Sequence, residues 1–157
     1  MKHVSSKERP SKAALLSTCM RLVRDRIANA EQAIASANAA AADDTKSSAG
    51  DKFETTREMM QQEISRHQQL LASGRQMELV LRSIDISEHA GPARLGSLVE
   101  TDRGFFFLAV SAGPLAMQGQ KCVAVSTASP IGQLMLGKTA GQRFMFNNTE
   151  YLIASIA

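Results

Sequence analysis

At 157 residues and 44% hydrophobic content the chain can form one or two small domains, and nowhere does it hold the ~18 consecutive apolar residues that a membrane-spanning helix requires. Aromatic residues make up 4%, with no Trp and a single Tyr151, and Ala and Ser crowd the first half, which points to thin helix there. A formal charge of +3 is too mild to imply nucleic-acid binding without a concentrated basic face.

Charge is distributed unevenly. Residues 1–26 carry seven Lys or Arg against Glu8 and Asp25, whereas residues 31–63 carry seven Asp or Glu against Lys46, Lys52 and Arg57. Cys19 and Cys122 are far apart in sequence and form no CxxC, and His3, His67 and His89 have no ligand spacing with them, so neither a zinc site nor a disulfide framework is expected. The first residues lack the apolar stretch of a secretory signal. These features predict a reduced, cytoplasmic protein without membrane association.

Residues 1–10 are polar and end in Pro10, and Ser11 is placed to cap a helix. From there Leu16, Met20, Val23, Ile27, Ala30, Ile34, Ala37 and Ala41 recur in alternating steps of four and three, a heptad seam that must pack against another helix along its length. The seam narrows to alanine near residue 41, so the partner helix has to approach closely there. The break falls at DDTKSSAG, and a second helix starts at Asp51, where Asp51 and Glu54 have capping-box spacing. Its apolar stripe reads Phe53, Met60, Ile64 and Leu71, with His67 in the same line, and beyond Gly74 it shifts to Met77, Leu81 and Ile84, predicting a bend or a change of neighbour. Each arm of about 30 residues is roughly 45 Å long. The short turn favours an intramolecular antiparallel hairpin in a monomer over an oligomeric coiled coil.

The segment DISEHAGPARLG predicts a linker over 85–96, which leaves 11–84 for the hairpin and 97–157 for a second domain. There the pattern becomes short β-type runs: SLVET, GFFFLAV, KCVAVS, RFMFN and EYLIASI. Only SPIGQLMLG reads as helix, with Ser129 as cap, Pro130 at the first helical position and Gly137 beyond the last. The expected fold class is α+β, an antiparallel helical hairpin followed by a small antiparallel β domain with one short helix.

Candidate chemistry concentrates at the hairpin turn, where Asp43, Asp44, Asp51 and Glu54 could hold a hard cation such as Mg²⁺ through oxygen ligands, although their spacing alone favours capping a helix and solvating a turn. Arg21, Arg24 and Arg26, in a basic stretch with Lys7, Arg9 and Lys12, could steer RNA or an acidic partner or simply form a solvated helix face. Cys19, His67 and Cys122 belong to no nucleophile signature, and His67 reads as a packed seam residue. Successive Phe residues in GFFFLAV must alternate faces, which suits sheet core better than a stacking platform.

The run SPIGQLMLGKTAGQRFMFNNTEYLIASI resembles the corresponding segment of the Gre family of bacterial transcript-cleavage factors, through Ser129, Pro130, Ile131, Leu136, Gly137, Lys138 and Gly141. The order of hairpin first and β domain second extends the resemblance over most of the chain. It implies an FKBP-like β domain that docks on bacterial RNA polymerase through the 129–138 motif, and a hairpin whose acidic tip enters the secondary channel. There the family's tip acids help position Mg²⁺ and water for cleavage of backtracked RNA, so the chain itself would hold no cofactor and would not be an enzyme. Matching the family's tip aromatic to Phe53 also aligns Arg57 and Glu58, but puts Lys46 and Ala49 where the family has its two functional acids and Lys52 where it has a further one. The resemblance thus implies polymerase binding and leaves two outcomes open: stimulated cleavage through Asp44 and Asp51, or a non-cleaving channel regulator in which Lys46 meets phosphate. A third reading, prolyl isomerase, follows from the FKBP-like shape alone, and a domain with no Trp and one Tyr offers little of the aromatic pocket it needs.

Overall fold

The computed structural model describes residues 9–47, 51–117 and 119–157, with the side chains of 44–47 and 51–53 outside the description. Two long helices, α1 (Lys12–Ser47) and α2 (Asp51–Ser83), precede a six-stranded, mostly antiparallel sheet and one short helix, an α+β fold. The chain divides into two compact units: Arg21–Leu79, and the described residues up to Met20 together with Val80–Ala157.

Within Arg21–Leu79 the two helices run antiparallel, with Arg24 opposite Glu78, Ile27 opposite Gly74 and Glu31 opposite Arg75. The expected seam is seen in the burial of Val23, Ala30 and Ile64, with Ile27, Ile34, Ala37, Ala41, Met60, His67 and Leu71 half-buried around them. Two expectations change. α1 does not break at Asp43 but continues to Ser47, in keeping with the strong helix propensity of the alanine run before it. α2 is unbroken from Asp51 to Ser83, and Gly74 does not interrupt the stripe: it is itself buried, a Cβ there would stand 2.8 Å from Cγ1 of Ile27, and beyond it half-buried Met77, buried Leu81 and half-buried Ile84 continue the apolar side as expected, with the division between the two units falling after Leu79. A glycine therefore makes room for Ile27 between the helices.

In the other unit, the start of α1 is capped as expected, the Ala14 amide donating to Ser11 Oγ at 3.3 Å. Leu15 and Cys19 are fully buried here while the expected seam residues Leu16 and Met20 are half-buried, a one-residue rotation of the stripe. Lys12 Nζ donates to the Ser87 carbonyl at 3.1 Å, and desolvation lowers its pKa from the ordinary lysine value despite the attraction of Glu88. Segment 85–96 has no helix or strand, yet Ala93 is buried in the core and exchanges backbone bonds with the end of the short helix, Ala93 N to Lys138 O and Gly137 N to Ala93 O, both 2.8 Å.

The strands are β1 (Leu98–Thr101), β2 (Gly104–Ala109), β3 (Gly113–Met117), β4 (Gln120–Ser126), β5 (Arg143–Phe146) and β6 (Thr149–Ile156), with α3 (Pro130–Met135) between β4 and β5. Their order across the sheet is β3-β4-β2-β1-β6-β5. The sheet is not wholly antiparallel as expected. The hairpin of β3 and β4 folds back so that β4 enters between β3 and β2, and β4 pairs with β2 in parallel, Phe105 beside Cys122 through Ala109 beside Ser126. Strand β3 went unrecognised because Gly113 and Pro114 read as turn; as an edge strand it can accept Pro, whose missing N–H costs nothing on the open side. Asn147 and Asn148, at φ of 49° and 59°, make the two-residue turn that joins β5 to β6.

The strand alternation separates two apolar faces. Phe106 and Leu108 join Val99, Val125, Ile153, Ile156, Phe144 and Met135 of α3 in one cluster, while Phe105 and Phe107 point to the opposite face and are also buried. No helix of the described residues is long and apolar enough to cross a membrane.

Candidate functional site

The segment that carries the sequence motif is built by its own caps. Ser129 Oγ accepts from the Gly132 amide at 3.1 Å and donates to the Ser126 carbonyl at 2.6 Å, so one hydroxyl both caps α3 and ties it to the end of β4. Pro130 takes the first helical position, where a missing N–H is harmless. Gly137, at φ 78°, turns the chain out of the helix, and its amide reaches Ala93. Gly132 is buried so tightly on the strand end that an added Cβ would overlap the Ser126 carbonyl oxygen.

Ser129, Gly132, Gly137 and the backbone of Lys138 are thus spent on architecture, the Lys138 side chain is half-buried, and Ile131 packs against the core. What remains for a partner is a small apolar surface of exposed Pro130 with Leu134 (37% exposed) and Leu136 (39% exposed). The motif quoted from the sequence included Leu136 but not Leu134. The signal for it was present, since position 134 lies four residues from Pro130 and therefore on the same side of the helix turn.

At the hairpin turn Asp43 on α1 and Glu54 on α2 are exposed. The side chains of Asp44, Lys46 and Asp51 lie outside the described residues. Among the described residues no three His, Cys, Asp or Glu side chains converge to hold a metal ion.

The three candidate steering arginines are exposed but not equivalent. Arg24 pairs with Glu78 across the hairpin at 3.8 Å, and Arg26 reaches Sδ of Met77 at 4.0 Å, whereas Arg21 has no ion pair among the described residues. Part of the basic stretch therefore serves helix pairing rather than an outside anion. His67 is half-buried, 3.7 Å from Glu63 on the same helix, as a seam residue should be.

Cys19 and Cys122 are buried free thiols in the same unit. Burial pushes both up to about 11, and Cys122 feels Cys19 as well. Neither has the exposed electropositive setting of a reactive thiolate. No protein-family model, characterised protein or solved structure matches this chain.

Proposed function

We propose that this chain regulates transcription elongation by binding bacterial RNA polymerase as a monomer. In this reading the sheet unit docks through the 129–138 segment and the turn between α1 and α2 presents its acids in the polymerase secondary channel. The observation that supports it best is the division of the chain. A two-helix unit with an acid-bearing turn is distinct from a sheet unit that leaves Pro130, Leu134 and Leu136 uncovered on a tightly capped helix. That is the division of labour the Gre resemblance implies.

The chain is then no enzyme by itself. Polymerase supplies Mg²⁺, and Asp43, Asp44, Asp51 and Glu54 add carboxylates that position the ion and its water at backtracked RNA. Arg21, with Arg24 and Arg26 to a lesser degree, steers toward nascent RNA. Lys46 and Ala49 favour a second reading, a channel regulator that does not cleave, because a cation where an acid is wanted repels Mg²⁺ and attracts phosphate.

The test is a pair of measurements with the full chain: retention on core polymerase, and release of short RNA from backtracked elongation complexes. Retention that falls at least about tenfold on Leu134→Asp with Leu136→Asp is expected, since burying a charge in an apolar contact costs more than ~1.4 kcal/mol. RNA release lost on Asp44→Asn with Asp51→Asn identifies a cleavage factor, and retention without release identifies the second reading. A chain that polymerase does not retain rejects both.

A further inference from the structure

A second surface of the sheet unit has no place in the docking just proposed. A cleft of about 390 Å³ opens over the starts of β2, β4 and β6, walled by Phe106, Val123, Tyr151 and Thr149 and rimmed by the exposed cations Arg103 and Lys121. Pairing of β2 with β4 in parallel creates it. Phe106 lies beside Val123, so both side chains rise on one face, and Lys121, two residues before Val123, rises with them. Arg103 comes from the β1–β2 turn, where its Nε donates to the Glu150 carbonyl at 3.0 Å and its guanidinium stands 5.7 Å over the Tyr151 ring.

The rim is positive and uncompensated. Among the described residues neither Arg103 nor Lys121 has a carboxylate at ion-pair distance, and the acids of the neighbouring segments are engaged elsewhere: Glu100 accepts from Ser155 Oγ at 2.8 Å, Asp102 accepts the Leu152 amide at 2.9 Å and Glu150 pairs with Arg143 at 3.5 Å. Two cations beside an apolar wall select a ligand with an anionic group next to an apolar one.

The aromatic geometry decides which kind. Phe144 stacks on one face of Tyr151 at 4.9 Å with the rings 2° from parallel, so the Arg103 guanidinium over the ring occupies the other face, and Phe106 meets Tyr151 edge-on at 5.9 Å. No face of Tyr151 is left on which a nucleobase could stack, and base recognition on such surfaces depends on stacking. The apolar wall that remains suits aliphatic groups.

We propose that this cleft binds an acidic, aliphatic peptide segment of a partner protein, a carboxylate lying between Arg103 and Lys121 and an aliphatic side chain against Phe106, Val123 and Tyr151. The site is independent of polymerase docking through the 129–138 segment. The test is titration of the isotopically labelled full chain, followed by amide NMR, with four probes: a capped heptapeptide of alternating Glu and Leu, its Gln and Leu counterpart, adenosine monophosphate and inorganic phosphate. The Glu and Leu peptide should shift the amides of Arg103, Lys121, Val123, Thr149 and Tyr151, and its affinity should fall at least about tenfold in Arg103→Gln with Lys121→Gln. Both positions are exposed, and the same spectra show that the variant is folded. The proposal is overturned if the Gln and Leu peptide binds equally well, if the nucleotide or phosphate binds the same residues more tightly, if the double variant binds the peptide unchanged, or if no probe shifts these amides.

Discussion

The two units bury their apolar residues in different ways. In Arg21–Leu79 only Val23, Ala30 and Ile64 are buried apolar side chains among the described residues, and Met59, Leu70 and Leu79 stand exposed, so the pair of helices is held along a line. In the sheet unit the strands expose two faces and both are covered, so that each core residue has neighbours on several sides. A seam can yield locally, one turn at a time, whereas a two-faced core has no direction in which to relax. The same steric insult should therefore cost much more in the sheet unit.

Gly132→Ala is the largest expected effect. The new methyl group would overlap a backbone carbonyl rather than a movable side chain, and α3 can escape only by giving up the Ser129 cap and its seat on Ser126. A loss of about 3 kcal/mol or more is expected in chemical denaturation. Hydrogen exchange should locate the loss in β4, α3 and β5, leaving residues 25–75 protected as before. A loss shared equally between the units would show that they do not differ in the way described.

The next effect depends on pH. Cys19 and Cys122 have thiol pKa values raised in the folded chain to about 11 from the ordinary 9.0, chiefly by burial. The neutral thiol is what the fold accommodates. Its stability contribution is complete below pH 9 and is lost as pH rises toward 11, because the unfolded chain ionises first. At pH 10.5 this amounts to roughly 2 kcal/mol per thiol relative to pH 8, and Cys19→Ala or Cys122→Ala should each remove about that much of the pH dependence while other titrating groups keep theirs. A pH dependence identical in wild type and variants would mean that the thiols are not desolvated.

Much of this was legible in the sequence, and the omissions have physical causes. The heptad spacing from Val23 to Ala41 located the face of α1, and Ser129, Pro130 and Gly137 located α3, because period and capping are local properties. The parallel pairing of β2 with β4 was not legible, since strand direction in a sheet is decided by non-local pairing and β3 hid behind Gly113 and Pro114. Gly74 was read as an interruption because a glycine contributes nothing to an apolar stripe; its role appears only when Ile27 stands opposite. The cleft between Arg103 and Lys121 joins residues from three separate segments, and no spacing encodes it.

Gly74 sharpens the comparison, because there the crowding group is a side chain. In Gly74→Ala the Cβ meets Cγ1 of Ile27 at 2.8 Å, which opposes the ~1 kcal/mol that alanine gains over glycine in a helix interior. A net loss of about 1 kcal/mol is expected. In an Ile27→Ala background the same substitution should instead stabilise by about 1 kcal/mol, since the obstruction is gone. Gly74→Ala costing the same in both backgrounds would place the crowding elsewhere.

The smallest expected effect belongs to the ion pairs that cross the two helices. Arg75 reaches Glu31 at 3.4 Å and Arg24 reaches Glu78 at 3.8 Å, but Arg75, Glu31 and Arg24 are each more than half exposed, so water screens the charges and the long side chains lose rotamer freedom to hold one geometry. Exposed pairs of this kind contribute roughly 0–0.5 kcal/mol. Glu31→Gln should accordingly leave the exchange protection of residues 25–35 and 70–80 within about 0.5 kcal/mol of wild type, and raising the salt concentration to about 1 M should change it no more, because the Debye length then falls to about 3 Å. If the seam holds the helices together, Ile64→Ala must cost several times more than Glu31→Gln, about 2 kcal/mol or above, since it removes one of the three buried apolar side chains among the described residues of this unit. A reversal of that order would make the hairpin an electrostatic structure, and the contrast with the sheet unit would then be one of kind of force rather than of room to relax.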